Sequence, residues 1–308
     1  MLVTLVLRRV ATLPFTLLGV ATAVFVVMRI LPGDPIESML AEAGASPALV
    51  AEWRQSYGLA EPLTVQYWSF LRALGRGDLG RSISTGRPVS RTLLEQMPST
   101  IVLSLSSLAF AACFGGGLGV LAARHQGTWV DGLSRLLAVV TVSLPTYWTA
   151  ILAIMVFSAG LHWLPAGGQG SWQHLVLPTL TLGASSSGVV AQVVRASVLE
   201  IGAQPYLQLA RAKGLPDRIL LARHILPAAA TPIVTLLGLQ VGFLLAGTAI
   251  TETVFSRRGV GRLLVEAVVS KDYPLAQGCI LLAAVTYTLA NTASDALVAA
   301  MDPRLRAN

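Results

Sequence analysis

Long stretches without a charged residue restrict the fold of this chain more than any other feature of its sequence. Residues 10–28 contain no Asp, Glu, Lys or Arg, and as a helix rising about 1.5 Å per residue they nearly span a hydrocarbon core of about 30 Å. Five more stretches are similarly apolar, at about 100–123, 136–161, 175–199, 228–251 and 275–300. We therefore predict an all-α, polytopic membrane protein with six transmembrane helices.

The composition agrees with a lipid environment. The chain is 54% hydrophobic and 12% charged, whereas an ordinary soluble domain is about 25% charged. The net charge of +7 would suggest nucleic acid in a soluble protein, but the basic residues lie between the apolar stretches and form no stripe with interleaved aromatic residues. Both cysteines, Cys113 and Cys279, lie inside apolar stretches, which argues against a disulfide framework or a cysteine metal site.

The first apolar stretch has one alternative interpretation, a cleaved signal peptide. Arg8 and Arg9 are similar to the basic start of such a peptide, and residues 21–23 are similar to its cleavage site. The apolar stretch continues past those residues and exceeds the usual length of about 7 to 15 residues. It is therefore interpreted as a retained helix, which together with the cytosolic N-terminus occupies residues 1–31.

The basic residues also predict the orientation in the membrane. Six arginines lie between Pro32 and Thr100, a segment too long for the positive-inside rule to apply strongly. With six crossings both chain ends lie on one side, and most of the remaining cations fall on that side: Arg8, Arg9, Arg124, Arg135, Arg195, Arg211, Lys213, Arg218, Arg223, Arg304 and Arg306. By the positive-inside rule this side is the cytoplasm, although Arg257, Arg258, Arg262 and Lys271 would lie outside. The prediction gives an extracytoplasmic segment at 32–99 and a cytosolic C-terminus at 301–308.

The sequence contains no catalytic constellation. It has neither a G-x-x-x-x-G-K-[ST] phosphate loop nor an H-E-x-x-H pair, and its four histidines are scattered. The serines at 185–187, between Gly183 and Gly188, are similar to a nucleophile motif but lack a nearby base, and small residues in such a stretch are typical of close helix packing. The glycines at 115, 116, 117 and 119 are interpreted in the same way. The chain is predicted not to be an enzyme.

Two acidic residues lie within or at the end of apolar stretches, where a charge costs about 2.5 to 3.5 kcal/mol on insertion scales. Asp295 is four residues after Asn291, so the two share one face of a helix. Glu252 follows the fifth stretch, between two threonines. Each carboxylate either lines a translocation pathway or forms a buried hydrogen bond or ion pair between helices, and Glu252 alternatively reaches the membrane interface.

Residues 201–227, on the predicted cytoplasmic side, are too charged to enter lipid. Pro205 is predicted to start a short helix that Gly214 ends with a left-handed cap, and a second short helix begins near Pro216 and stops before Pro227. The first helix has one largely small and apolar face, formed at i, i+3, i+4 and i+7 by Tyr206, Leu209, Ala210 and Lys213. Such a segment either lies on anionic headgroups or fills a groove on another protein.

This loop resembles the cytoplasmic coupling loop of ABC importer permeases, with Gly214 and Leu226-Pro227 at the family's spacing and ARAKG in the form typical of dipeptide and oligopeptide permeases. Further similar motifs are LPGDP after the first stretch, YGLAEPLTVQYWSFLRALGRGDLGRS within 32–99, ETVFSRRGVG after the fifth stretch, and Asn291, Asp295 and DPRLR near the end. The long segment after the first helix is similar to that of the first of the two permease subunits. The sequence departs from the family pattern at Gln208, Leu209, His224 and Arg258.

The resemblance implies a type I importer permease fold, with the transmembrane domain proper at 95–298, in a heteromeric importer of di- or oligopeptides in the bacterial cell membrane. It implies a second permease subunit, ATPase subunits whose two nucleotide-binding domains bind ATP and Mg, and an extracytoplasmic substrate-binding protein. No cofactor or metal is expected in this chain. The residues expected to couple to the ATPases are Tyr206, Ala210, Arg211, Ala212, Lys213, Gly214 and Leu215, and those expected to dock the binding protein are Tyr57, Tyr67, Trp68, Arg257 and Arg258.

The sequence is also compatible with two other functions. A nickel or haem importer permease shares these motifs, and the sequence contains no metal-selective cluster that would decide between metal and peptide. A self-contained channel or ion-driven transporter would instead use Asp295 and Glu252, but the chain shows no internal inverted repeat of the kind that such transporters have.

Overall fold

The structure, a computed structural model, describes residues 2–30, 33–34, 36–37 and 46–301, with side chains described from residue 11 to residue 300. Part of the predicted 32–99 segment, including most of the LPGDP motif, lies outside the described residues. So do the DPRLR motif, Arg304 and Arg306.

The described chain is helical apart from its turns and an isolated antiparallel bridge between Arg81 and Pro88. The helices are α1 (Leu2–Ile30), α2 (Pro47–Ser56), α3 (Leu63–Gly75), α4 (Val89–Phe110), α5 (Gly116–Arg124), α6 (Trp129–Ser143), α7 (Thr146–Ala153), α8 (Gln173–Gly202), α9 (Pro205–Ala212), α10 (Asp217–Leu220), α11 (Leu226–Val254), α12 (Val260–Val269) and α13 (Tyr273–Met301). Wider π-helical turns join α4 to α5 (Ala111–Gly115), extend α7 (Ile154–Gly160) and join α10 to α11 (Leu221–Ile225).

Several helical stretches are long and apolar enough to cross a membrane. Within the described residues there are 5: Ala11–Ile30, Val89–Arg124, Gln173–Gly202, Asp217–Val254 and Tyr273–Ala300. The number rises to 6 if the bent pair α6 and α7 counts as one span. The predicted all-α polytopic architecture is thus confirmed. The helices extend beyond the apolar stretches from which they were predicted.

The predicted crossing at 136–161 is not one straight helix. α6 and α7, the latter with its π-helical extension, are bent by 103° at the break between them. Leu144, in the break, has an extended backbone with φ −81° and ψ 129°, and Pro145 follows it. A residue before proline avoids the helical region because the proline ring clashes with its backbone. Pro145 therefore explains the break.

The described chain forms two compact units, of which the first consists of Ile101–Arg257 with the described residues of 2–9 and 287–301. At its centre α8 packs against α5, α6, α7 and α11. The buried residues of α8 include many small ones, among them Gly183, Ser186, Ser187, Gly188 and Ala191. Small side chains let helix backbones approach closely, which is the usual basis of helix packing in lipid.

Glycines explain how closely α8 approaches its neighbours. A Cβ atom at Gly115 would overlap the carbonyl oxygen of Ser187, and one at Gly188 would overlap the carbonyl oxygen of Ala138 on α6. A Cβ atom at Gly119 would also lie only 2.5 Å from a carbonyl oxygen of α8. These contacts confirm the packing interpretation of the small residues on both helices.

Two of the predicted packing residues do not take part in these contacts. A Cβ atom at Gly116 or Gly117 would have no neighbour within 4 Å, because these glycines lie on the other side of the helix.

The serines of the 185–187 motif form hydrogen bonds within and between helices. Ser187 Oγ donates to a carbonyl of its own helix (2.6 Å), and Ser186 Oγ donates to Gln240 Oε1 on α11 (3.3 Å). These bonds agree with a structural role.

The second unit consists of the described residues of Val10–Thr100 and Arg258–Thr286. Its apolar core contains Met28, Val89, Leu93, Val260, Ala267, Tyr273, Leu275, Ala276 and Cys279. Buried Asp272 accepts hydrogen bonds from Ser82 Oγ (2.6 Å), Ser84 Oγ (2.7 Å) and the Ser84 N–H (3.1 Å). These bonds hold the turn before α4 against the connection between α12 and α13.

Candidate functional site

The loop between α8 and α11 is shaped by Pro205 and Gly214. Pro205 occupies the first turn of α9, where its missing N–H is not needed. At the other end Gly214 has φ +84°; its N–H donates to the Arg211 carbonyl (2.9 Å), and the Leu215 N–H donates to the Ala210 carbonyl (3.2 Å). This pair of bonds is a Schellman cap, which favours glycine at the left-handed position. The predicted short helix and its glycine cap are both confirmed.

α9 has one buried and one exposed face. Leu207 is fully buried, in an apolar cluster with Val198 and Leu220. Tyr206 and Leu209 are 52% and 57% exposed. The face predicted from the sequence is therefore open at Tyr206 and Leu209 but half-buried at Ala210. Leu207, which the sequence analysis did not single out, attaches the helix to α8 and α10.

The remaining residues predicted to couple to the ATPases lie in several environments. Ala212 and Lys213 are exposed, and Ala210 and Leu215 are half-buried against the apolar cluster of Leu207. Arg211 lies one helical turn after Leu207, on the same face. Its Nη1 atom donates to the Gly202 carbonyl (3.4 Å), and its Nε atom lies 3.4 Å from the Asp217 carboxylate. The Arg211 side chain is nevertheless 47% exposed, so solvent reaches it although it lies on the Leu207 side of α9.

The second predicted helix of the loop does not stop before Pro227. α10 begins directly after Pro216 and continues through the turn Leu221–Ile225 into α11, so that Asp217–Val254 is one helical stretch. Pro227 lies in the first turn of α11, where its missing N–H leaves a carbonyl of the preceding turn without its usual partner. The wider π-helical turn takes up this irregularity without ending the helix.

The polar residues predicted within the apolar stretches all lie in the first unit. Glu252 is fully buried near the end of α11. Asn291 and Asp295 are half-buried on α13, and between them Ser294 Oγ donates to the Val234 carbonyl on α11 (3.0 Å). Asn291 and Asp295 therefore lie beside a contact between two helices, a position compatible with either a pathway or a buried polar contact.

The two arginines that follow α11 differ in exposure. Arg257 is 6% exposed, and its Nη1 atom donates to the His174 carbonyl in the first turn of α8 (3.1 Å). Burial lowers the pKa of its guanidinium, and the nearby Glu252 carboxylate acts in the opposite direction. Arg258 is exposed. Of this pair, Arg258 is the residue that a docking protein can reach.

The aromatic docking candidates in the second unit also differ. Trp68 on α3 is 60% exposed. The Tyr67 hydroxyl lies 2.7 Å from Thr22 Oγ1, and its ring packs edge-on against Phe25 on α1. Tyr57 is half-buried against a small apolar cluster. Trp68 is therefore the most accessible of the three.

A buried ion pair that the sequence analysis missed joins α6 to α8. Arg195 donates from Nε to Asp131 Oδ1 (2.8 Å) and from Nη2 to Oδ2 (2.9 Å), and the Gly127 N–H donates to Oδ2 (3.1 Å). Asp131 is buried, whereas Arg135, 3.5 Å from it, is largely exposed. The two partners are far apart in the sequence, so no local pattern indicates the pair.

Breaking this pair should destabilise the chain. Arg195→Gln leaves a buried carboxylate without its bidentate partner, which costs more than the loss of an exposed ion pair. We expect a lower midpoint of thermal unfolding in detergent for Arg195→Gln and little change for the matched control Arg135→Gln. The double variant Asp131→Asn/Arg195→Gln should be destabilised less than the two single changes combined. Equal midpoints for Arg195→Gln and Arg135→Gln would contradict this assignment.

Two family descriptions together match nearly the whole sequence. The family described as "Binding-protein-dependent transport system inner membrane component" matches residues 115–307. The family described as "Binding-prot-dependent transport system membrane comp, N-term" matches residues 1–104. The resemblance inferred from the sequence motifs is thus confirmed.

Similar proteins support the same family. The glutathione transport system permease protein GsiC of Salmonella typhimurium is 40% identical over 301 residues, which cover 98% of each chain. The protein of the same name from Escherichia coli K12 is 39% identical over 301 residues, again 98% of each chain.

Solved structures are similar at the level of the fold. Chains from two crystal forms of the inward-facing methionine ABC transporter MetNI align with TM-scores of 0.57 and 0.59, at 18% and 17% identity. The alignments cover 69% and 68% of this chain and 97% and 96% of those chains. The two family matches and the 40% identity to GsiC show that the chain belongs to the binding-protein-dependent transport system inner membrane components. It is a multi-pass inner membrane permease subunit of an ABC importer, non-catalytic itself, for which partner ATPases bind ATP.

Proposed function

We propose that this permease forms, with a second permease subunit, the translocation path of a peptide importer, and that its substrates include tripeptides such as glutathione. The observation that carries the proposal is the 40% identity to glutathione permeases over 98% of the chain. Glutathione is itself a tripeptide. The N-terminal family match at 1–104 supports the same class, because that family is typical of peptide and glutathione permeases.

Substrate competition tests the peptide assignment. In cells carrying the complete transporter, unlabelled glutathione and other tripeptides should compete with labelled glutathione for uptake, whereas nickel and haem should not. Competition by nickel or haem alone would favour the alternative of a metal or haem importer. Solute flux through the permease reconstituted without ATPase subunits would instead favour a self-contained channel or ion-driven transporter.

The exposed face of α9 is proposed as the docking surface for an ATPase domain. Tyr206, Leu209 and Lys213 present a mixed apolar and cationic surface on the cytoplasmic side of the proposed topology, suited to a groove on another protein. Because buried Leu207 attaches α9 to α8 and α10, movement of the docked ATPase would be transmitted to α8 and, through α10, to α11. Such rigid transmission would switch the path between outward and inward access.

Bulky charged substitutions on α9 test this coupling. Ala210→Arg and Gly214→Asp should abolish substrate-stimulated ATP hydrolysis and uptake. The first puts a bulky cation at half-buried Ala210, where the docking face meets the apolar cluster of Leu207, and the second strains a backbone at φ +84°. Gln208→Arg is the matched control, since Gln208 is exposed but lies on a different face of the helix. If both activities survive in Ala210→Arg and Gly214→Asp, the coupling role is wrong.

The remaining site assignments are proposed on the same basis. The termini are placed in the cytoplasm by the positive-inside rule. Trp68 and Arg258, both exposed, are proposed to contact the substrate-binding protein outside. Asn291 and Asp295, both half-buried, are proposed as polar residues of the path, because charged and amide groups within membrane helices usually face protein or water. Fully buried Glu252 is proposed instead to form a polar contact between helices, the alternative that the sequence left open.

A further inference from the structure

The inward face of α9 borders a cavity that the proposed function does not use. The cavity measures about 380 Å³ and lies in the first unit. Its walls come from the turn after α5 (123–126), the last turns of α8 (198–203), and residues of the α9–α11 segment between 211 and 225. The volume lies within the range of about 300 to 1,000 Å³ that is usual for small-molecule sites.

The polar part of the wall carries more positive than negative charge. The charged lining residues within the described chain are two arginines, Arg124 and Arg211, and one carboxylate, Asp217. His125 also lines the cavity. Arg211 approaches Asp217 at 3.4 Å, whereas Arg124 forms no ion pair within the part of the chain that the structure describes. Two guanidinium groups facing one cavity favour a phosphate group, because their N–H donors match pairs of phosphate oxygens.

The rest of the wall is apolar. Val198, Leu199, Leu221 and Ile225 line it and belong to the apolar cluster that also holds Leu207. Cationic groups beside an apolar wall suit a phosphate that carries an apolar substituent. Basic pockets between membrane helices on the cytoplasmic side are known to bind the headgroups of anionic lipids.

The cavity and the proposed ATPase docking surface lie on different faces of α9. Arg211 follows Leu207 by one helical turn, on the same side of the helix. Its side chain is 47% exposed and donates to the Gly202 carbonyl (3.4 Å). Tyr206 and Leu209 are on the exposed face. A protein docked on the exposed face would therefore leave the cavity open to a ligand.

We propose that this cavity is a phosphate site between the turn after α5 and the coupling loop, with Arg124 and Arg211 as its ligands. The phosphate comes either from the headgroup of an anionic phospholipid in the inner leaflet or from free inorganic phosphate. Only the choice of leaflet rests on the proposed orientation. The bound phosphate would bridge the turn after α5 and the α9–α10 segment, and so hold the coupling loop in the arrangement that the structure shows.

The purified transporter complex, without ATP or peptide, provides the test. Native mass spectrometry would compare retention of phosphatidylglycerol with that of phosphatidylcholine of the same acyl chains, and thermal unfolding would measure stabilisation by inorganic phosphate. For Arg124→Gln/Arg211→Gln we expect the affinity for the phosphate ligand to fall about tenfold or more, as expected for lost charge-assisted hydrogen bonds. Arg223→Gln, an exposed arginine of the same loop that does not line the cavity, is the matched control.

Two single variants keep the test independent of folding defects. Arg124→Gln changes an exposed residue at the end of α5. It should weaken phosphate binding without lowering the stability of the chain. Asp217→Asn removes the carboxylate that competes for Arg211 and should strengthen binding. Neither measurement involves import, so failure here would not bear on the peptide assignment.

The outcomes distinguish the two sources. Preferential retention of phosphatidylglycerol that depends on Arg124 and Arg211 supports a lipid headgroup. Stabilisation by inorganic phosphate with the same dependence, and no lipid preference, supports free phosphate. Equal binding of both ligands by Arg124→Gln/Arg211→Gln and Arg223→Gln would overturn the proposal, as would weaker binding by Asp217→Asn.

Discussion

Gly115→Ala should strongly destabilise the packing of the first unit, although it adds a single methyl group. A Cβ atom at Gly115 would overlap the backbone carbonyl of Ser187 on α8, and a backbone atom cannot move aside as a flexible side chain does. The π-helical turn and α8 would have to separate. Overpacking of a close contact costs about 1 to 3 kcal/mol, and a backbone overlap belongs at the upper end of that range. We expect a large fall in the midpoint of thermal unfolding in detergent and little assembled transporter.

Gly117→Ala is the matched control because it makes the same chemical change two residues away. A Cβ atom at Gly117 would meet nothing within 4 Å, and alanine is favoured over glycine within a helix by about 0.5 to 1 kcal/mol. Its midpoint should therefore be equal to or above that of the unchanged chain. A Gly115→Ala variant as stable as Gly117→Ala would show that α8 does not approach the helix as closely as described.

The sequence predicts the existence of the membrane helices better than their ends. An apolar stretch marks the part of a helix that lies in lipid, whereas the helix continues wherever backbone bonds and good helix formers allow. α4 therefore begins at Val89, about three turns before its apolar stretch. The break at Leu144 and Pro145 has a signal in the sequence, because a proline disfavours the helical backbone conformation of the residue before it. The predicted crossing at 136–161 takes only the length of the apolar stretch into account.

The loop between α8 and α11 shows which features residue type alone does not predict. Pro205 and Gly214 act on the local backbone, so the start and the cap of α9 could be predicted from residue type alone. Burial of Leu207 and the contact of Arg211 with the Gly202 carbonyl depend on how α9 lies against α8, which residue type does not reveal. The Asp131–Arg195 pair is a similar case, because its partners meet only after α6 and α8 have packed.

Leu207→Ala should disconnect α9 from the membrane helices and stop import. Leu207 is fully buried among residues of α8 and α10, and a buried leucine truncated to alanine costs about 2 to 5 kcal/mol. A helix of 8 residues is too short to persist without such packing, because isolated helices shorter than about 12 to 15 residues are marginal. We expect uptake to fall at least about tenfold, since each 1.4 kcal/mol shifts an equilibrium by about that factor.

Leu209→Ala makes the same truncation two residues away, on the exposed face. Leu209 is 57% exposed, so its loss should change the stability of the chain by no more than about 0.5 kcal/mol. It should instead weaken the association with the ATPase subunits, measured by co-purification at increasing dilution. Leu207→Ala should show the reverse pattern, with a lower midpoint of thermal unfolding and ATP hydrolysis that no longer responds to substrate. If the two variants behave alike in stability and association, α9 does not have the separate anchoring and docking faces on which the coupling mechanism depends.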